Sequence, residues 1–339
     1  MRFLIPRCLL IGLLAAAATA CSTPRIEPGE GLVLVEGGTV WYKVFGTGSG
    51  TPLLMLHGGP GATSEVFEPL AKRLGRDRPV IIYDQLGAGR SRGPHDTKLW
   101  TEHRYVDEIR RIRKHLGLDR IHLYGHSWGT MLAMDYMATD PEGVESLILA
   151  GPCISIPRYL EDVNRLRRQL PQETQDILAR HEAAGTDGSE EYMRAADVFY
   201  KRHVCRMNPW PREMTNSLEN FGLDVYRYMW GPNEFRGTGT LKDYDQTANL
   251  RKLRLPVLFT AGRYDECTPE ATAWYRGMVR GAKMQIFEHS AHMTMLEEPD
   301  AYYTTVRQFL QSVESQSLGR PSAGQKVTKL TPGSYRKET

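Results

Sequence analysis

Residues 120–138 run from an apolar stretch, Arg120-Ile-His-Leu-Tyr124, through Gly125-His-Ser-Trp-Gly129 into a helical pattern at Thr130–Ala138. No other part of the chain constrains its fold as tightly. A strand that turns sharply into a helix across a G-x-S-x-G segment leaves the serine on a strained turn with its Oγ exposed. Side chains at the flanking glycines would collide with the neighbouring strand and helix. Ser127 is therefore the candidate nucleophile, and Thr130–Ala138 is expected to be an amphipathic helix.

The rest of the chain supplies the sheet that such a turn needs. Leu32–Val35 and Thr39–Phe45 flank Glu36-Gly37-Gly38, a hairpin signal. Pro52–His57, Pro79–Asp84, Val144–Ala150, Pro256–Ala261 and Lys283–Phe287 are short strand-like runs, most of them of the apolar, buried type. Helical patterns at Glu65–Leu74, Thr101–Leu116, Thr268–Val279 and Pro299–Val313 alternate with them. This alternation predicts an α/β fold with a doubly wound, mostly parallel sheet. Between Gly151 and about Asp245 the strand-like runs vanish, and Arg158–Leu170, Gln172–Ala184 and Glu190–His203 read as charged amphipathic helices. They predict a helical cap over residues 152–245, inserted between core segments 21–151 and 246–316. Such a cap lies over the strand ends, where ligands bind in these sheets. Residues 317–339 are polar and read as a disordered tail.

Met1–Arg7 is short and basic, Cys8–Ala20 is apolar but too short to span a bilayer, and small residues lead into Cys21. Residues 1–20 read as a signal peptide of the bacterial lipoprotein type, with Cys21 as the lipidated first residue. Ordinary cleavage at the Ala-x-Ala site is the alternative. Ser22 is not the aspartate associated with inner-membrane retention, so the expected location is periplasmic, with a lipid anchor in the outer membrane. Without Arg2 and Arg7 the 43 Lys and Arg fall to 41, against 40 Asp and Glu, which argues against a nucleic-acid partner. Beyond the leader and Cys21, three cysteines remain (Cys153, Cys205 and Cys267), so at least one thiol stays free.

A serine nucleophile needs a base and a group that orients the base. In hydrolases built on this strand–turn–helix unit the chain order is Ser, then Asp or Glu, then His. Of ten histidines, only His289 and His292 follow the acidic candidates after the last core strands. Asp265 directly follows the strand Pro256–Ala261 and is the expected acid. His292, in the loop after Phe287, is the expected base; His289 sits close to the strand end and is the weaker choice. The remaining histidines, His126 included, are read as surface or packing residues. His57-Gly-Gly-Pro-Gly61 follows a buried strand and is expected to supply one oxyanion donor, Gly59 being chosen over Gly58. The Trp128 N–H is the second donor. Asp84–Ser91 reads as a glycine loop that supports the site, without dinucleotide-binding spacing. There is no H-E-x-x-H and no cysteine-rich ligand spacing, so neither a metal nor a cofactor is expected.

Taken together, His57–Gly61, Tyr83–Ser91, Gly125–Gly129, Tyr228–Phe235 with Gly239–Asp243, Asp265-Glu266 and Ser290–Met293 resemble the proline iminopeptidases. Within that family the resemblance is to the tricorn-interacting aminopeptidase type, and it spans about residues 33–310. It implies the α/β-hydrolase fold with an inserted cap, a substrate with a free α-amino group, and Glu234 and Glu266 as the carboxylates that hold that amine. The physics agrees. An ammonium entering a partly dehydrated pocket needs a carboxylate partner, and two adjacent carboxylates repel until it arrives. Two features depart from the family pattern: position 126 is His where relatives often carry Gly, and the export signal precedes what is elsewhere a cytosolic enzyme.

The expected function is that of a serine aminopeptidase releasing N-terminal residues, proline favoured, from short peptides or amino-acid amides and arylamides. A carboxylesterase or lactonase with the same three residues would not need Glu234 and Glu266. A non-catalytic surface-binding lipoprotein would not need an intact Ser–His–Asp set. Ser rather than Asp at position 127 disfavours a haloalkane dehalogenase or epoxide hydrolase.

Overall fold

The structure is a computed structural model that describes residues 26–318; the leader, Cys21 and the tail beyond Leu318 lie outside the described residues. Eight strands form one sheet: β1 (Gly29–Val35), β2 (Gly38–Phe45), β3 (Leu53–Leu56), β4 (Val80–Tyr83), β5 (Ile121–His126), β6 (Val144–Ala150), β7 (Val257–Gly262) and β8 (Lys283–Phe287). Their order is β1-β2-β4-β3-β5-β6-β7-β8. The hairpin β1–β2 joins the edge antiparallel, and β3 to β8 run parallel. β3, β4, β5 and β7 are buried at every position, which is what helices on both faces of a parallel sheet require.

Among the described residues, twelve α-helices complete the order: α1 (Glu68–Leu74), α2 (Glu102–Leu116), α3 (Trp128–Thr139), α4 (Ile156–Arg167), α5 (Gln172–Ala184), α6 (Glu190–His203), α7 (Arg212–Glu219), α8 (Leu223–Met229), α9 (Thr247–Leu250), α10 (Pro269–Gly277), α11 (Thr294–Glu297) and α12 (Pro299–Leu318). Alternating strand residues sort into two cores. Leu54, Ile81, Leu123 and Leu147 pack with α2 and α3 on one face. Leu53, Ile82, Tyr124 and Ile148 pack with α1 and α12 on the other. Helix ends follow local chemistry. Thr101 caps α2 by accepting the Arg104 N–H at 3.3 Å, and Gly117 closes it with left-handed backbone, φ 64°.

Three details differ from expectation. The helix expected over Glu65–Leu74 is a 3₁₀ turn at Ser64–Phe67 followed by α1. Pro69 lacks an N–H and crowds the turn before it, so regular α-helix starts only at Glu68. α3 is not amphipathic: it is buried from Trp128 to Met134 and again at Tyr136, because β5, α2 and α9 surround it. The cap also contains α7 and α8, two short helices that the sequence pattern did not reveal. The cap is hydrogen-bonded to the core loops: the Gly222 N–H donates to Gly61 O at 2.7 Å, and the Met293 N–H to Val204 O at 3.0 Å.

Candidate functional site

β5 ends at His126 and α3 begins at Trp128, so Ser127 alone makes the turn. With φ 55° it is the one non-glycine residue at positive φ among the described residues. Such a conformation costs on the order of 1–3 kcal/mol and persists where the surroundings impose it. Here the Ser127 N–H donates to Ala150 O at 3.0 Å, and Ser127 O accepts the Thr130 N–H at 2.8 Å and the Thr130 hydroxyl at 2.6 Å. A Cβ on Gly125 would lie 2.3 Å from Gly129 O, and one on Gly129 would lie 2.2 Å from Leu56 O. Both glycines are therefore required by strand and helix packing.

Asp265 emerges just beyond β7 and His292 from the loop after β8. The His292 Nδ1–H donates to Asp265 Oδ1 at 2.7 Å, and that same oxygen accepts the Cys267 N–H at 2.7 Å. Both residues are buried. Burial pushes the His292 pKa down, but the Asp265 charge and hydrogen bond, with Glu234 nearby, outweigh it and leave the pKa raised. Ser127 and His292 line one cavity of about 110 Å³ together with Gly58 and Gly59. His289 is exposed, which leaves His292 in the base position.

Gly59, one of the two expected oxyanion donors, lines this cavity, and Trp128, the other, directly follows Ser127. His57 is buried; its Nε2 accepts the Gln85 N–H at 2.9 Å, so its Nδ1 carries the proton and donates to Gly58 O at 2.9 Å. The Gly58–Gly59 peptide is trans, so turning its carbonyl towards His57 turns the Gly59 N–H the opposite way. Gly59 has φ 109°, which glycine tolerates. Trp128 is the first residue of α3, where an N–H has no intrahelical acceptor. Gln85 ties the two together: its amide donates to His57 O at 3.1 Å and accepts the Trp128 indole N–H at 2.8 Å.

The same cavity is lined by two carboxylates, Glu266 buried and Glu234 half-buried. Glu234, from the cap, accepts the Tyr226 hydroxyl at 2.6 Å and the Tyr159 hydroxyl at 3.2 Å. Glu266, from the core, has its Oε1 3.9 Å from His292 Nε2, and its buried Oε2 has no partner. Burial raises both pKa values, and the neighbouring Glu234 and Asp265 charges push Glu266 further up. Neither pairs with Lys or Arg among the described residues.

The chain matches the alpha/beta hydrolase fold family over residues 51–299. It is 43% identical over 286 residues to the proline iminopeptidase of Heyndrickxia coagulans, spanning 84% of this chain and 99% of that protein. The chain belongs to the proline iminopeptidase family. Among solved structures it is similar to the proline iminopeptidase of Mycobacterium smegmatis, with a TM-score of 0.78 and 34% identity over 85% of this chain and all of that one. It is also similar to VinJ, with a TM-score of 0.81, the same identity and the same coverage.

Several residues of this proline iminopeptidase site gave no signal in the sequence. Gly151, at the end of β6, has φ 49°, and a Cβ there would lie 2.6 Å from His292 Cε1. Tyr159 and Tyr226 were unremarkable aromatic residues of cap helices. Cys153, Cys205 and Cys267 are free, buried thiols. Asp265, Cys267 and His292 are the one group of metal-ligating types found close together among the described residues, with atoms within 4.8 Å of one another. Two of the three are already hydrogen-bonded to each other as an acid–base pair.

Proposed function

We propose that this chain is a serine aminopeptidase that releases the N-terminal residue, proline favoured, from short peptides and from amino-acid amides or arylamides. Ser127 Oγ attacks the carbonyl carbon of the first residue while His292 Nε2 takes the proton, and Asp265 holds the imidazole and stabilises its charged form. The Gly59 and Trp128 N–H groups receive the developing oxyanion. His292 then protonates the leaving amine, and a water that it deprotonates hydrolyses the acyl-enzyme.

The observation that carries this reading over an esterase is the pair Glu234, half-buried, and Glu266, buried, in the nucleophile's own cavity. An ester hydrolase has no use for two desolvated carboxylates there, whereas an α-ammonium offsets their charge with strong hydrogen bonds. A prolyl ammonium has two N–H donors, one for each carboxylate, and its ring suits the apolar wall of Val66, Met214 and Phe221. Relatives named proline iminopeptidase support the same choice. The deciding assay compares a proline arylamide with its N-acetyl form. The free amine is expected to react at least about 100-fold faster, as loss of one partner of a buried charge pair implies. Equal turnover of the two would sink the proposal.

We also propose that the chain is exported to the periplasm and anchored in the outer membrane through a lipid on Cys21, on the strength of the basic, apolar and small-residue pattern ahead of it. When the full-length chain is expressed, metabolic labelling with palmitate should mark the processed protein that begins at Cys21, in the outer-membrane fraction. Equal labelling of a Cys21→Ser variant would overturn this.

A further inference from the structure

We infer that His126 is a positioning residue for His292, fixing the peptide unit that carries the general base. His126 is the last residue of β5, buried and adjacent to Ser127. Its Nε2 lies 3.0 Å from His292 O. A carbonyl only accepts, so the Nε2 carries the proton and donates. The two imidazole rings lie 4.5 Å apart at 41°, and Phe67 closes the other side of His126 edge-on at 6.2 Å. Burial, reinforced by the nearby His292 charge, pushes the His126 pKa well down, so this ring stays neutral and keeps one tautomer.

The geometry makes the contact more than packing. The peptide between His292 and Met293 is held at both ends, its carbonyl by His126 and its N–H by Val204 O at 3.0 Å. The first restraint comes from the nucleophile strand and the second from the cap. The Asp265 bond at Nδ1 fixes the ring's tilt. His126 is also next to the oxyanion loop, since a Cβ on Gly58 would lie 3.4 Å from its Nδ1 and 3.0 Å from Ser127 Cβ. One neutral side chain therefore spaces the base, the nucleophile and the oxyanion loop.

The test compares His126→Phe, which keeps a ring of similar size without the donor, with His126→Gln, whose amide places an N–H near the Nε2 position. His126→Phe is expected to lower kcat about 10–100-fold with KM within about twofold, the signature of a lost transition-state alignment. The rate of labelling by a fluorophosphonate, in which Ser127 Oγ displaces fluoride from phosphorus, should fall in parallel. His126→Gln should recover both to within about fivefold of wild type, because its amide restores the donor that holds the His292 carbonyl. Equal loss in the two variants, loss confined to KM, or no loss in either would overturn the assignment. If His126→Phe does not fold, His126→Asn takes its place, because the Asn amide cannot reach His292 O; it should be impaired where Gln is not. The labelling rate does not depend on the amine pocket, so this test stands apart from the choice of substrate.

Discussion

A single methyl group added at Gly151 would press on His292 Cε1 at 2.6 Å, closer than side-chain carbons approach, and Gly151 also sits at φ 49°. Gly151→Ala should therefore displace the base, lowering kcat roughly 100-fold, as a shift of about 1 Å does, while the chain still folds. Steady-state kinetics beside a melting curve check this. Asp265→Asn should cost about 10⁴-fold in kcat through the wrong imidazole tautomer. The pH profile carries a sign. His292 acts as a base only when neutral and its pKa is raised, so the acid limb of kcat/KM lies above the ordinary value of 6.5, and activity is lost as pH falls through it. In Asp265→Asn the limb of the residual activity should move to lower pH; an unmoved limb would show that Asp265 does not set it. That Ser127, Asp265 and His292 lie together was legible in the sequence, because a parallel sheet delivers each strand's following loop to the same edge. Gly151, His126, Tyr159 and Tyr226 were not, because their roles depend on which atoms approach across elements far apart in the chain.

At the scale of elements, α12 is fastened to the start of β3 and β4 by one charged cluster. Arg78, its side chain 1% exposed, donates to both oxygens of Glu314 at 2.5 and 3.2 Å, and Glu314 also accepts the Thr51 N–H at 2.8 Å. Glu314→Gln leaves a buried guanidinium without its counter-charge and should destabilise the fold by about 3 kcal/mol, read by urea titration. Burial opposes the charge on Glu314, but His122, 3.6 Å away, and the Arg78 hydrogen bonds and charge bring its pKa down to about 2, against an ordinary 4.5. A depressed carboxylate stabilises the fold above its unfolded value, so this contribution is lost as pH falls from about 4.5 towards 2. The stability difference between wild type and variant should therefore shrink across that window; a constant difference would refute the linkage. The parallel strands were legible as short apolar runs, and α2 through its periodicity. α7 and α8 were not, because short polar helices held by neighbours have little periodicity to read. Pro69 was a legible boundary signal that the longer helical pattern masked.

For the whole molecule, main-chain hydrogen bonds tie the cap to the core. Backbone bonds join the end of α6 to both core loops, Glu266 N–H to His203 O at 3.2 Å and Met293 N–H to Val204 O at 3.0 Å, and join the oxyanion loop to Gly222. We expect the Glu266 and Met293 amides to exchange hydrogen only with global opening. Exchange as fast as in exposed loops would mean that the cap lifts independently. The insertion was legible from the loss of strand-like runs after Gly151, but its docking was not, since backbone-to-backbone bonds leave no mark on residue identity. Glu234 and Glu266 line the same cavity of about 110 Å³ as Ser127. On the proposed aminopeptidase reading, these carboxylates hold the amine of the very residue whose carbonyl Ser127 attacks. A peptide read this way can only be trimmed stepwise, each cut exposing a new end that must leave and be threaded afresh. Every intermediate length should then be seen in turn, and a chain whose first nitrogen is blocked should pass through a digest untouched.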